Sequence, residues 1–172
     1  LLQIEKARRL DIEEPIYYEI IRQKTASLIA SACSAGAASV TNDEEVIETM
    51  RLFGEKIGIA FQIRDDLFDF GDEDVGKPLG IDIKEKKMTL PLIYALRQAP
   101  ASKRRHIIGL IRRHSEDAAK VREVIECVKN SGGLEYGQEA MLRYRDEAFA
   151  ILHGFAHSEA RQSLEDLVVF VT

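Results

Sequence analysis

Apolar positions recur at spacings of three and four along almost the whole chain, and no stretch shows the strict alternation of a half-buried strand. The pattern predicts an all-α protein of about seven helices. Asp11 to Pro15 reads as a helix start with proline in the first turn. The helix that follows, about 15–39, carries Tyr17, Ile21 and Leu28. It ends in a tract, 26–39, in which twelve of fourteen residues are Ala, Ser, Gly or Cys. Thr41 to Glu44 opens the next helix. Val46, Met50, Phe53, Ile57 and Phe61 give it an apolar face as far as about Phe70. Residues 71–88 hold three glycines, one proline and nine charged residues and read as a loop. Thr89 is predicted to cap a further helix with Pro91 in its first turn. Helices of about 102–113, 116–130, 134–153 and 158–171 complete the chain, the last three separated by Gly132-Gly133 and Gly154. No linker, composition shift or repeat divides it, so residues 1–172 read as belonging to a single domain.

Composition narrows the class. The chain has 172 residues with 24 Lys+Arg, 29 Asp+Glu and a formal charge of −5. Apolar residues are spread throughout and Gly and Pro are few, which excludes disorder and fibrous repeats. No apolar run approaches the roughly 20 residues that span a bilayer, so no transmembrane segment is predicted. The acidic balance argues against nucleic acid as a partner. Cys33 and Cys127 lie inside helical patterns and read as buried, reduced residues, consistent with a cytoplasmic location. The chain opens Leu1-Leu2-Gln3 without an initiator Met, so it is expected to be a piece of a longer protein.

Candidate chemistry sits at the end of the second helix, Phe61-Gln62-Ile63-Arg64-Asp65-Asp66-Leu67-Phe68-Asp69-Phe70. At 100° per residue, Gln62, Asp65, Asp66 and Asp69 fall within one arc of about 100°. Such a stripe can be a solvated acidic face. Here its flanks are apolar: Ile59, Ile63 and Phe70 on one side, Ile57, Phe61 and Phe68 on the other, Leu67 behind, with only Arg64 interrupting. A helix apolar nearly all round is buried, and carboxylates gathered out of water need protons or cations. Carboxylates at i and i+4 suit a hard divalent ion. Mg²⁺ fits best, because it takes one or two carboxylates and completes its shell with water and phosphate oxygens.

Two basic elements could meet that phosphate. Lys24 lies on the predicted apolar stripe of its helix, beside Tyr17, Ile20, Ile21 and Leu28, where it either snorkels outward or points at something. The loop Gly76-Lys77-Pro78-Leu79-Gly80-Ile81-Asp82-Ile83-Lys84-Glu85-Lys86-Lys87 is either a solvated charged loop or a lid. The small-residue tract serves close helix packing or leaves room for a substrate. The four histidines, His106, His114, His153 and His157, read as surface or helix-end residues. Tyr136, Tyr144 and Phe149 read as core.

Taken together, these segments resemble the trans-isoprenyl diphosphate synthases, most closely the long-chain, octaprenyl-like members. Gln23-Lys24-Thr25-Ala26 resembles the family's Lys-Thr helix. Phe61 to Asp69 resembles its second aspartate-rich motif with the preceding Phe-Gln. Gly76 to Asp82 resembles the lysine loop, and Lys86-Lys87-Met88-Thr89-Leu90-Pro91 resembles the Gly-Lys-x-Thr-x-Pro segment with Lys86 in place of Gly. The resemblance implies the C-terminal part of an isoprenoid-synthase-type helical bundle. It implies that Asp65, Asp66 and Asp69 hold Mg²⁺, and that Lys24, Lys77 and Lys87 contact an allylic prenyl diphosphate. Thr25 and Gln62 would line the place where the allylic cation forms, before isopentenyl diphosphate attacks it. It also implies a homodimer. The family's first Asp-Asp-x-x-Asp is not found in the sequence, so the isolated chain is expected not to condense prenyl diphosphates. A non-catalytic subunit of a heteromeric synthase is the alternative, against which the intact aspartates count.

Overall fold

Seven long helical runs and one single-turn helix account for most of the computed structural model, which describes Leu10, residues 13–71 and residues 79–172. Helix α1 (Glu14–Ile21) passes through a π-helical turn (Arg22–Ala26) into α2 (Ser27–Ala38). Then come α3 (Glu44–Phe68), the single-turn α4 (Ile81–Lys84), α5 (Leu90–Gln98), α6 (Ala101–Arg113), α7 (Ala118–Asn130), α8 (Gly133–His153) and α9 (Glu159–Val171). No strand occurs among the described residues. No helix of the described residues is long and apolar enough to cross a membrane.

Three helices are capped by side chains. The Asp43 side chain accepts from the Glu45 and Val46 amides ahead of α3, Asp117 from Ala119 and Lys120 at α7, and Ser158 from Arg161 at α9. Thr89 departs from expectation. It holds the N-cap position of α5 but makes no side-chain cap bond, and its buried hydroxyl has no hydrogen-bond partner among the described residues. The segment read as a loop also departs, since α4 forms within it.

The helices group into two compact units: one from the described residues of Leu1–Ile20 with Asp65–Gln138, the other Ile21–Arg64 with Glu139–Thr172. In the first, α5, α6 and α7 pack together through buried Leu90, Leu92, Ile107, Ile111, Val124 and Val128. Gly80 has φ +73°, and a β-carbon there would run into the Val121 side chain, so glycine meets both demands. In the second, Phe53 and Ile57 of α3 join Ala148 and Leu152 of α8 and Val168 of α9 in one core cluster. Here the small-residue tract has its use. A β-carbon at Gly54 would lie 2.7 Å from the Ala30 Cα, and one at Gly58 would lie 2.6 Å from the Ala26 Cα, so α3 approaches the preceding helical run almost backbone to backbone. Cys33 packs beside this cluster, half-buried, and burial pushes its thiol up; Cys127 is fully buried; both are free thiols. The four histidines are exposed. Tyr136, Tyr144 and Phe149 are half-buried, and Phe149 packs against the core cluster of the second unit as expected.

Candidate functional site

The last turn of α3 carries its acids inward. Asp66 is 6% exposed and Asp69 only 2%, while Asp65 is half-buried, so the stripe is not a solvated face. The surround is less apolar than the sequence suggests. Ile57, Ile59, Ile63 and Phe70 are buried, but Phe61 is 42% and Phe68 37% exposed, so one flank of the helix is open.

Each of the two buried acids is held by a group distant in sequence. The Tyr17 hydroxyl of α1 donates to Asp66 Oδ2 at 2.7 Å. Burial, and then the Asp66 carboxylate, hold the Tyr17 phenol well above its usual range, so it stays a neutral donor. The Asp82 amide at the start of α4 donates to Asp69 Oδ2 at 3.1 Å, and the Gly80 amide to the Asp69 carbonyl at 3.0 Å. These two bonds fix the lysine-bearing segment to the end of α3. Lys87 Nζ lies 2.9 Å from Asp82 Oδ1 and 2.6 Å from Glu85 Oε2. Burial works against its charge, yet the two carboxylates outweigh it and the ammonium is held above the ordinary lysine range. A continuous polar path therefore runs from Asp69 through Asp82 to Lys87. Lys86, standing where the motif it resembles has glycine, takes φ +58°, and its ammonium donates to the Arg112 carbonyl at 3.2 Å.

In the other unit, the Thr25 hydroxyl donates to Gln62 Oε1 at 2.7 Å, joining residues of two different motifs. Gln62 is buried, and it lies on the same helix as Asp65 and Asp66, with Asp69 in the turn that follows directly. Thr25 and Lys24 sit within the π turn, which carries an extra residue in its ring and so shifts the register of every side chain after it. Lys24 is exposed here, not part of an apolar stripe as regular 100° spacing suggested. Lys77 lies outside the described residues.

Thus Thr25 meets Gln62, and Asp69 is tied to the partner of Lys87. Sequence reasoning missed Tyr17, taken as an apolar position, and Asp82, quoted in the motif but given no role. A cue for Tyr17 existed: a tyrosine on a buried helix face needs a partner for its hydroxyl. Among the described residues no group of three or more His, Cys, Asp or Glu side chains is gathered closely enough to hold a metal by itself. One or two carboxylates suffice for Mg²⁺ when phosphate and water complete its shell, and hard oxygen donors are what this helix end offers.

Residues 1–128 match the model of the polyprenyl synthetase family. The chain belongs to this family. It is 34% identical over 171 residues to heptaprenyl diphosphate synthase component 2 of Geobacillus stearothermophilus, a match covering 98% of this chain and 52% of that protein. Among solved structures, the geranylgeranyl pyrophosphate synthase of Bacteroides thetaiotaomicron superposes with a TM-score of 0.91 at 36% identity, over 99% of this chain and 57% of that one. The polyprenyl synthase of Caulobacter crescentus, solved with calcium and isoprenyl diphosphate, gives 0.89 at 34% identity, over 99% and 52%. This member of the polyprenyl synthetase family therefore spans about half the length of the relatives it matches, and its all-helical architecture is theirs.

Proposed function

We propose that this chain supplies the metal- and diphosphate-binding half of a prenyltransferase. The whole enzyme would condense an allylic prenyl diphosphate with isopentenyl diphosphate into a longer all-trans polyprenyl diphosphate. The observation that carries the reading is the tie from buried Asp69 through Asp82 to Lys87, which links the acids to the lysine segment. A departing diphosphate needs positive charge already in place, and little covalent chemistry falls to the protein. Mg²⁺ held by Asp65, Asp66 and Asp69 would supply part of that charge; Lys24, Lys77 and Lys87 would supply the rest. Thr25 and Gln62, joined by a hydrogen bond, would offer polar oxygen to the developing allylic cation, as the family resemblance implies. The calcium and isoprenyl diphosphate bound by the Caulobacter crescentus relative support a divalent ion and a prenyl diphosphate as ligands. A long-chain product, a homodimeric assembly and a cytoplasmic location are parts of the same proposal.

The test is thermal unfolding with Mg²⁺ and inorganic diphosphate. At ligand concentrations roughly 100 times Kd, the midpoint should rise by about 5–10 °C. Asp65→Ala should abolish the rise and Lys87→Ala should diminish it. No rise in the unaltered chain, or an undiminished one in Asp65→Ala, refutes the proposal. The relative named component 2 favours a second reading, in which the chain works inside a heteromeric synthase.

A further inference from the structure

We infer that Tyr17 is a positioning residue: its hydroxyl fixes the Asp66 carboxylate in the orientation that receives a divalent cation with its diphosphate. The inference rests on the function proposed above and adds a residue to it. Tyr17 and Asp66 are 49 positions apart in sequence, both buried, and joined by a 2.7 Å hydrogen bond between side chains. Phenylalanine would fill the same apolar position on α1 without any polar group to satisfy. A buried hydroxyl is costly to place unless it is paired, and here its pair is an acid of the aspartate stripe.

The kind of donor matters. A lysine or arginine at this place would orient Asp66 but also neutralise it, and so compete with the cation. A phenol orients the carboxylate and leaves its charge for the metal. A backbone amide, that of Asp82, likewise donates to Asp69 as a neutral group. Partners behind the metal-binding groups commonly tune affinity by 10–100-fold without touching the ion.

The experiment titrates Mg²⁺ into the chain at fixed inorganic diphosphate, following heat release, with diphosphate binding in the absence of Mg²⁺ measured in parallel. Tyr17→Phe should raise the Mg²⁺ midpoint by about 10–100-fold. Metal-free diphosphate binding and far-UV circular dichroism should stay unchanged. In an Asp66→Asn background the same substitution should add nothing, because the two residues act as one unit. An unchanged midpoint in Tyr17→Phe, alongside a loss in Asp66→Asn, overturns the inference and leaves the proposed function standing. So does a loss of the same size with and without Mg²⁺, or one that persists in the Asp66→Asn background. Absence of any Mg²⁺-dependent binding in the unaltered chain overturns both. Should Tyr17→Phe not fold, the unaltered chain still decides. It has no tryptophan, so its near-UV dichroism reports mainly tyrosine; Mg²⁺ with diphosphate should change that signal, and a spectrum indifferent to Mg²⁺ overturns the inference.

Discussion

Lys86 holds a left-handed backbone conformation, φ +58°, that costs a side-chain-bearing residue about 1–2 kcal/mol. The turn is retained without the glycine of the motif it resembles, and Lys87 still reaches Asp82. What Lys86 gains is one exposed bond to the Arg112 carbonyl. Lys86→Gly removes the strain at a small entropic cost in the unfolded chain, and should stabilise by about 0.5–1 kcal/mol in urea denaturation. A loss of stability would mean that the contact with Arg112 outweighs the strain. Thr89 poses the opposite problem. Its buried hydroxyl has no partner among the described residues, so Thr89→Val, nearly equal in shape, should leave stability unchanged or raise it by about 1 kcal/mol in the same assay. At this scale the sequence singles out Thr25, Gln62, Asp69 and Lys87 as candidates, and the structure hydrogen-bonds Thr25 to Gln62 and links Asp69 to Lys87 through Asp82. The sequence does not show their partners, because a hydrogen bond such as Tyr17 to Asp66 depends on which helices meet.

Helices were the legible level. Periodicity alone locates the seven long runs to within a few residues, since an amphipathic stripe at period 3.6 is visible without tertiary context. Two features escape it. The π turn at Arg22–Ala26 breaks the 100° spacing on which the reading of Lys24 depended, and α4 is too short to show a period. Burial of the α3 tip was legible for Asp66 and Asp69 but overstated for Phe61 and Phe68, because apolar composition does not say which neighbour covers a face. The contact of α3 with the π turn and α2 has a sharp consequence. Gly58 stands against the Ala26 backbone, and Ala26 follows Thr25 directly. Gly58→Val should therefore destabilise by about 2–3 kcal/mol through overpacking. It should also separate Thr25 from Gln62, seen as earlier hydrogen exchange in the π turn than in α9. An unaltered midpoint in urea would show that this contact is loose.

For the molecule as a whole, the chain spans about half of its relatives and leaves large apolar side chains in water: Leu28 is 76% and Phe170 78% exposed, with Val40, Leu167 and Val169 also open. Exposed apolar side chains drive association where they gather into a contiguous patch. The aspartates of α3 are one of the two acidic motifs that the family resemblance implies, so Mg²⁺–diphosphate binding and turnover should separate. Incubated with farnesyl and isopentenyl diphosphates and Mg²⁺, the chain alone should bind but form no longer product, and robust elongation would show that one acidic motif is enough. The uncovered side chains make a second claim that needs no catalysis. Sedimentation velocity should show the weight-average mass rising with concentration, and Leu28→Ser with Phe170→Ser should suppress that rise. Neither side chain belongs to the described core clusters, so folding should survive the double substitution, with the unfolding midpoint shifted by no more than about 0.5 kcal/mol. A chain that stays monomeric at every concentration would mean that these side chains are tolerated singly in water, and would count against the proposed homodimer being built on them.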